Sequence, residues 1–526
     1  MSASLAGYSV VSLLVENQGA AMERYLSAIA GMAMGFMLMG ATDDGPIDAD
    51  SREWWSLASA LSGDEMEGRD TGSGGHERAA RLIADRLAAA GLEPLGDDGT
   101  WFQRIDFEEV GVPSATLRGA GGELAFLDEF TVSPDVALPA HLAAPIAYRG
   151  YCAHDALGDV TGKLVICHGT RRSGLTTAAE REAAVRAAGG VGMATIVDPG
   201  FSVEPPRWPF AFARSVYRKG NLPAPDPFVK LGINADALGK LLGRDAARLV
   251  SDGSAGLPLP DIDSGTATMS FTIRTAQYPS SNVIGILPGT NPALADQAIV
   301  LGAHLDGYGF GRAVDGDAIY NGTLDNAAYV ALIVHLMESR ERKGYARPIV
   351  VGLWTGEEKG LHGSEWFIEH PTVPLEQIAA NINLDQLRPI FPLELMTVHA
   401  RTDTSLGQDA TAIATAMGIR LQDDPEPERN LLRRSDHWTF LEAGIPAISF
   451  VFGYEPGSRS EEIYRQWYRT GYHRPQDDLV QLVDWQAAAD FNRFFYALVD
   501  RVANRSEAPS WQQGTTLRPA AMSVGK

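Results

Sequence analysis

Three observations predict an α/β fold: a mixed, largely parallel central sheet flanked by helices, with a smaller α/β domain inserted into it. From Ser281 onward, short apolar runs alternate with segments of helical spacing, as in chains that wind strands and helices into a parallel sheet. Three of those strands run into His, Glu or Asp, and open α/β sheets bind ligands at the carboxyl ends of their strands. A separate strand–helix–strand unit lies between residues 146 and 200.

The elements follow in chain order. His76–Ala90 reads as a helix, with Ala79, Ala80, Ile83, Leu87 and Ala90 on one face and Gly91 at the C-cap position. Residues 100–145 read as short strand-like runs separated by turns. Leu164–Cys167 is a buried-strand run behind the turn Asp159–Lys163, Thr177–Ala188 an Ala-rich helix, and Gly192–Val197 a second short strand. From Asp198 to about Ser270 the chain is rich in Pro and Gly, which predicts surface loops and linkers. Strands are then predicted at Asn282–Leu287, Ala298–Ala303, Pro348–Trp354, Ala379–Leu384 and Ala447–Phe452. Helices are predicted at Asn326–Met337, Gly363–His370, Thr404–Met417 and Trp485–Val502. The resulting division is a signal-like segment (1–45), a discontinuous main domain (46–115 and 272–510), an inserted domain (116–271) and a tail (511–526).

Composition narrows the function. With 526 residues, 45 % hydrophobic and 21 % charged, the chain has the make-up of a globular protein of two to four domains. A net charge of −22 argues against nucleic acid as a partner, because that needs a cationic surface. Two cysteines, Cys152 and Cys167, exclude a disulfide scaffold and a Cys-rich zinc module. They fall in the first two strand-like segments of the insert and are expected to be close neighbours. Whether they are bridged stays open, since buried free Cys is common and an exported protein could oxidise them. The apolar run Tyr25–Gly40 has 16 residues, short of the ~20 of a spanning helix. It reads as the core of an export signal behind Arg24. The expectation is a periplasmic or secreted protein without stable membrane insertion. Oligomeric state leaves no mark in the sequence.

The chemistry lies at the strand ends. His304-Leu305-Asp306 closes one strand, Glu357-Glu358 follows another and Asp385 a third; Asp325 opens a helix and His473 sits in a late loop, YHRPQDD. Each alone can be an ordinary structural residue; Asp325, for example, would serve as a helix N-cap. Together, two His and three carboxylates make a nitrogen and hard-oxygen ligand set suited to catalytic zinc. Five ligands serve two metals if one carboxylate bridges. The spare carboxylate of the Glu357-Glu358 pair can then act as general base, and Asp306 can accept the His304 ring N–H.

Residues 300–480 resemble the co-catalytic zinc aminopeptidases of the bacterial secreted leucine aminopeptidase and glutamate carboxypeptidase type. The matching pieces are AHLDGYG, VDGDAIYNGTLDNAA, GEEKGLHGS, NINLDQ, SDHWTFLEAGIPAI and YHRPQDD. The resemblance implies a zinc exopeptidase fold, two Zn²⁺ ions and a peptide substrate. It implies metal ligands His304, Glu358, Asp385 and His473 with Asp325 bridging, Glu357 as base, and Asp306 as partner of His304. It further implies substrate contacts from Asp436 and His437, and a cis Asp325–Asn326 peptide. The chain departs from the pattern at Leu324, at Gln386 and in an insert, Glu455–Thr470, carrying Tyr464, Trp467 and Tyr468, which is expected to cover part of the site's mouth. The middle of the chain, with DVTGKLVICHG and AAGGVGMATIV, resembles a protease-associated domain. An aminopeptidase is the default reading. A carboxypeptidase, with Arg388, Arg401, Arg433 and Arg434 near the motifs, an amidohydrolase and a glutaminyl cyclase are the alternatives on the same core. A non-catalytic receptor is the reading furthest from a chain that keeps every ligand.

Overall fold

In a computed structural model of the chain, residues 45–199, 208 and 213–519 are described. The predicted signal segment lies outside them, apart from its last residue. The core of the main domain is a stack of parallel strands. Ala298–His304 lies between Ile349–Trp354 and Ile378–Asn383 and is parallel to both, and Ala447–Phe452 follows beyond Ile378–Asn383. The three central strands are buried at almost every position, as expected of β-branched and apolar runs covered on both faces. Helix Ala328–Ser339 is buried from Ala328 to Met337. Helix Ala49–Ser62 packs on it, and its Trp54 indole N–H donates to the Ala328 carbonyl at 2.6 Å.

Two strands are much longer than the sequence predicts. Phe102–Gly119 and Asp261–Leu287 pair antiparallel from Phe102 opposite Val283 to Arg118 opposite Thr268. This corrects both the short runs expected over 100–145 and the loops expected up to Ser270. Gly111 and Pro113 read as breaks, but they belong to one continuous strand. The register shifts there, Gly111 facing Arg274 and Ser114 facing Thr272, and such a bulge is where a sheet tolerates proline. Strands Arg214–Arg218 and Val229–Ile233 also occupy the region read as linker.

The long pair carries the sheet from one core to another. His141–Arg149 adds to Asp261–Leu287, and Leu164–His168, Gly192–Ile196 and Val229–Ile233 continue in parallel. Their apolar faces form a second core, including Phe130, Ile146, Leu164, Ile166, Ile233 and Leu241. The expected boundaries at 115/116 and 271/272 therefore fall inside paired strands. Helix Ala178–Ala187 is capped by Thr177, whose hydroxyl accepts from Glu180 N–H while the Glu180 carboxylate accepts from Thr177 N–H. Cys152 and Cys167 are joined by a disulfide, with Cα atoms 5.6 Å apart.

Candidate active site

Parallel pairing sets the site. His304 ends its strand opposite Trp354, and Gly302 pairs with Asn383. Glu357, Glu358 and Asp385 follow those neighbouring strand ends directly, so all four side chains leave one edge of the sheet together. Asp325 lies in the turn Thr323–Ala327, just before helix Ala328–Ser339 and not as its N-cap, and the Asp325–Asn326 peptide is cis. His473 follows helix Arg459–Thr470, with its ring stacked on Tyr472 (3.6 Å between centroids) and Tyr308 at 4.4 Å.

These elements bring all five expected ligands together. His304 Nε2 is 3.2 Å from Asp325 Oδ1 and 3.3 Å from Asp385 Oδ1. His473 Nε2 is 3.4 Å from Asp325 Oδ2 and 3.5 Å from Glu358 Oε2. Asp325 thus turns one oxygen to each histidine, and two triplets share it. Ligand atoms of one tetrahedral zinc, at 2.0–2.1 Å from the metal, lie ~3.3 Å from each other, and the four histidine–carboxylate distances, 3.2–3.5 Å, have that spacing. Apart from those histidine contacts, Asp325 Oδ2 and Asp385 Oδ1 are buried without a hydrogen-bond donor, as fits oxygens that face cations. The residues therefore suit a metal ion. Glu357 can also be grouped with His304 and Asp385 by distance, which places it against the first triplet.

Asp306 serves differently from the expectation. The His304 ring bonds through Nδ1 to the Asp306 main-chain carbonyl at 3.0 Å, while the carboxylate stands 3.9 Å away. That carboxylate accepts instead from Glu357 N–H at 3.1 Å and from the Thr71 hydroxyl at 2.9 Å. Strand geometry accounts for the change: the chain turns after His304, so the carbonyl two residues on folds back under the ring and the side chain reaches across to the next strand.

Three supports were not legible in the motifs. Asp477 accepts from the N–H groups of Leu324 and Asp325 at 2.9 and 3.0 Å, fastening the turn that carries the shared carboxylate. Arg69, fully buried, donates to the carbonyls of Leu305, Leu61, Asn321 and Gly322 at 2.7–3.0 Å, tying the His304 and Asp325 loops together. Thr71 stands beside it. The signals were weak: Asp477 is inside YHRPQDD, and Arg69 and Thr71 precede the Gly-rich stretch that leads into a helix.

Burial dominates the electrostatics. It raises the Glu357 carboxyl well above the usual range, with Asp385 and Glu358 adding to it, and pushes Glu358 up to about 7. Burial opposes charge on His304, but Glu357, Asp325 and Asp385 outweigh it and raise its pKa well above normal. Asp325 would also be raised by burial, yet its bonds to His304 and His473 hold it below the carboxylate range. This is a cluster of excess negative charge that cations would neutralise.

Asp436 and His437 separate. Asp436 is buried, accepts from the Ser364 hydroxyl at 2.6 Å, and is pushed by burial up to about 7, under the influence of His304 and Asp385. His437 instead lies against His399, their rings nearly parallel at 5.5 Å, and burial holds it well below the usual histidine range. The Glu455–Thr470 insert is largely the helix Arg459–Thr470, whose Tyr464, Trp467 and Tyr468 are buried.

The family described as peptidase family M28 matches residues 282–499, the stretch that carries the five expected ligands. The solved aminopeptidase of Aneurinibacillus sp. strain AM-1 superposes with a TM-score of 0.60 at 18 % identity, over 87 % of this chain and 95 % of its own. The zinc aminopeptidase BSAP of Bacillus subtilis gives 0.57 at 19 %, over 87 % and 96 %. At those identities the likeness establishes the shared fold. A probable leucine aminopeptidase 2 of Aspergillus oryzae is 23 % identical over 248 residues, 44 % of this chain and 47 % of the relative. The chain thus matches about half the length of that curated relative. Among the described residues, no helix is long and apolar enough to cross a membrane.

Proposed function

We propose that this chain is a dinuclear zinc aminopeptidase that removes N-terminal residues from peptides. The observation that carries the reading is Asp325, with one oxygen 3.2 Å from His304 and the other 3.4 Å from His473. Asp385 completes the first ligand set and Glu358 the second. Zinc held by these sets supplies polarisation of the scissile carbonyl and acidification of water. Glu357 has the role of general base. Its buried carboxylate, with raised proton affinity, takes a proton at Oε and returns it to the leaving amine. Asp306 holds the Glu357 backbone in place. Asp436, with Oδ2 buried and unpartnered, is positioned to receive a substrate α-ammonium. The names of the similar proteins, zinc and leucine aminopeptidases, support the same reading.

In this reading residues 116–271 are a protease-associated domain that restricts access to the site. A cleft of about 870 Å³ lies between Gly169–Arg171, Thr195–Asp198 and the 428–434 segment. The Cys152–Cys167 bridge fits an exported protein. The test is a pair of substrates on the zinc-loaded chain. Leucine p-nitroanilide should be hydrolysed and its N-acetyl form should lose most of the rate. Equal rates would point to an endopeptidase or amidohydrolase.

A further inference from the structure

Beside Asp385 lies a small half-enclosed cavity of about 30 Å³, lined among others by Gln386, Arg388, His399, Arg434 and Tyr468. Its volume holds two waters or one carboxylate head group. Arg388 is 1 % exposed, and apart from the Tyr468 hydroxyl none of its nitrogens has a hydrogen-bond partner. Its guanidinium lies against the rings of Tyr464, Trp467 and Tyr468, 4.6–5.0 Å from their centroids. The Tyr468 hydroxyl acts on its charge, but among the described residues no carboxylate pairs with it. A buried arginine without an anion is expensive, and aromatic faces replace only part of what a carboxylate fork would give. The second arginine, Arg434, reaches the Tyr472 hydroxyl at 3.4 Å and also lines the 870 Å³ cleft. Gln386 approaches the same hydroxyl at 3.3 Å. Arg434 therefore lines both the small cavity and the larger cleft.

We infer that Arg388 and Arg434 form a carboxylate-binding subsite adjoining the active site, so that the enzyme prefers substrates presenting a carboxylate there. The inference rests on the peptidase reading and narrows its substrate class. Two sources share this chemistry: the side chain of an N-terminal Glu, and the C-terminal carboxylate of a short peptide. Helix Arg459–Thr470 holds the subsite in place by stacking its rings on Arg388.

The test compares kcat/KM ratios within one zinc-loaded full-length protein, so that losses of metal or folded protein cancel. Glutamyl against glutaminyl p-nitroanilide reports a side-chain carboxylate. Leu-Gly against Leu-Gly amide reports a C-terminal one. One ratio should exceed about 10 in the parent and fall at least ~30-fold toward or below unity in Arg388→Gln. Arg388→Lys, which keeps charge but loses the planar fork, should fall between and stands in if the glutamine variant does not fold. Calorimetry with glutarate separates failures. If no aminoacyl substrate is cleaved but glutarate binding still depends on Arg388, the aminopeptidase reading falls and the subsite stands. If substrates are cleaved with both ratios near one, and glutarate binds the variants as tightly as the parent, the subsite is overturned.

Discussion

Asp306 shows how one residue joins two strands of the site. One carboxylate oxygen receives the Glu357 N–H and the other the Thr71 hydroxyl, while its carbonyl orients His304. Alanine at 306 keeps the carbonyl and so keeps the histidine, but it releases the backbone of the base. Asp306→Ala should lower kcat by ~10–100-fold, the usual cost of losing an outer-shell partner. Asp306→Asn, which still offers one acceptor to Glu357 N–H, should retain most of the rate, and both variants should hold zinc as the parent does. Steady-state kinetics with metal analysis checks this. A large loss of zinc in the alanine variant would mean that the carboxylate, not the carbonyl, governs His304. The residue types and their order were legible in the sequence because His, Asp and Glu gathered at several strand ends suit metal ligation and little else. The division of labour within Asp306 was not, because it depends on which way the chain turns after His304.

At the scale of elements, the turn Thr323–Ala327 presents Asp325 to both histidines, and Asp477 is what pins it. Both Asp477 oxygens accept backbone N–H groups of that turn. Asp477→Ala leaves these donors buried and unpaired and frees the shared carboxylate to wander. Zinc affinity, measured by chelator competition, should fall 10–100-fold; unchanged affinity would show that the turn holds its shape without the clamp. The regular elements of the main domain were legible to within a few residues, as with the helix Trp485–Asn504 expected at Trp485–Val502. Periodicity is clear where a strand is buried on both faces or a helix on one. The long strands Phe102–Gly119 and Asp261–Leu287 were not legible. Their pairing is between residues 150 or more apart, and Gly and Pro interrupt their local pattern. Arg69 escaped for a related reason, since its four acceptors are scattered along the chain.

At the scale of the molecule, the metal site is a store of buried charge, and its protonation couples to stability. Burial pushes Glu358, Asp436 and Asp477 up to about 7 from ordinary values of 4.5, 3.8 and 3.8. Each then binds its proton more tightly in the folded chain than in the unfolded one. Stability from these groups is full below pH ~4 and is lost as pH rises toward 7. The metal-free protein should therefore melt at progressively lower temperature between about pH 4 and 7. Zinc takes the place of the proton at Glu358, so the loaded protein should show a shallower slope and a higher Tm at pH 7. Calorimetric scans with and without a chelator check both statements. Identical slopes would mean that Glu358 does not face a metal.

The most direct test of the account is the turnover of Glu357→Ala at full zinc loading, set against the parent on leucine p-nitroanilide. In the proposed reading five residues bind metal and Glu357 moves the proton. The variant should keep two zinc ions per chain and the parent's fold, and lose kcat by at least ~10². Near-normal turnover with both metals in place would contradict the role given to Glu357, and with it the chemistry proposed for the site.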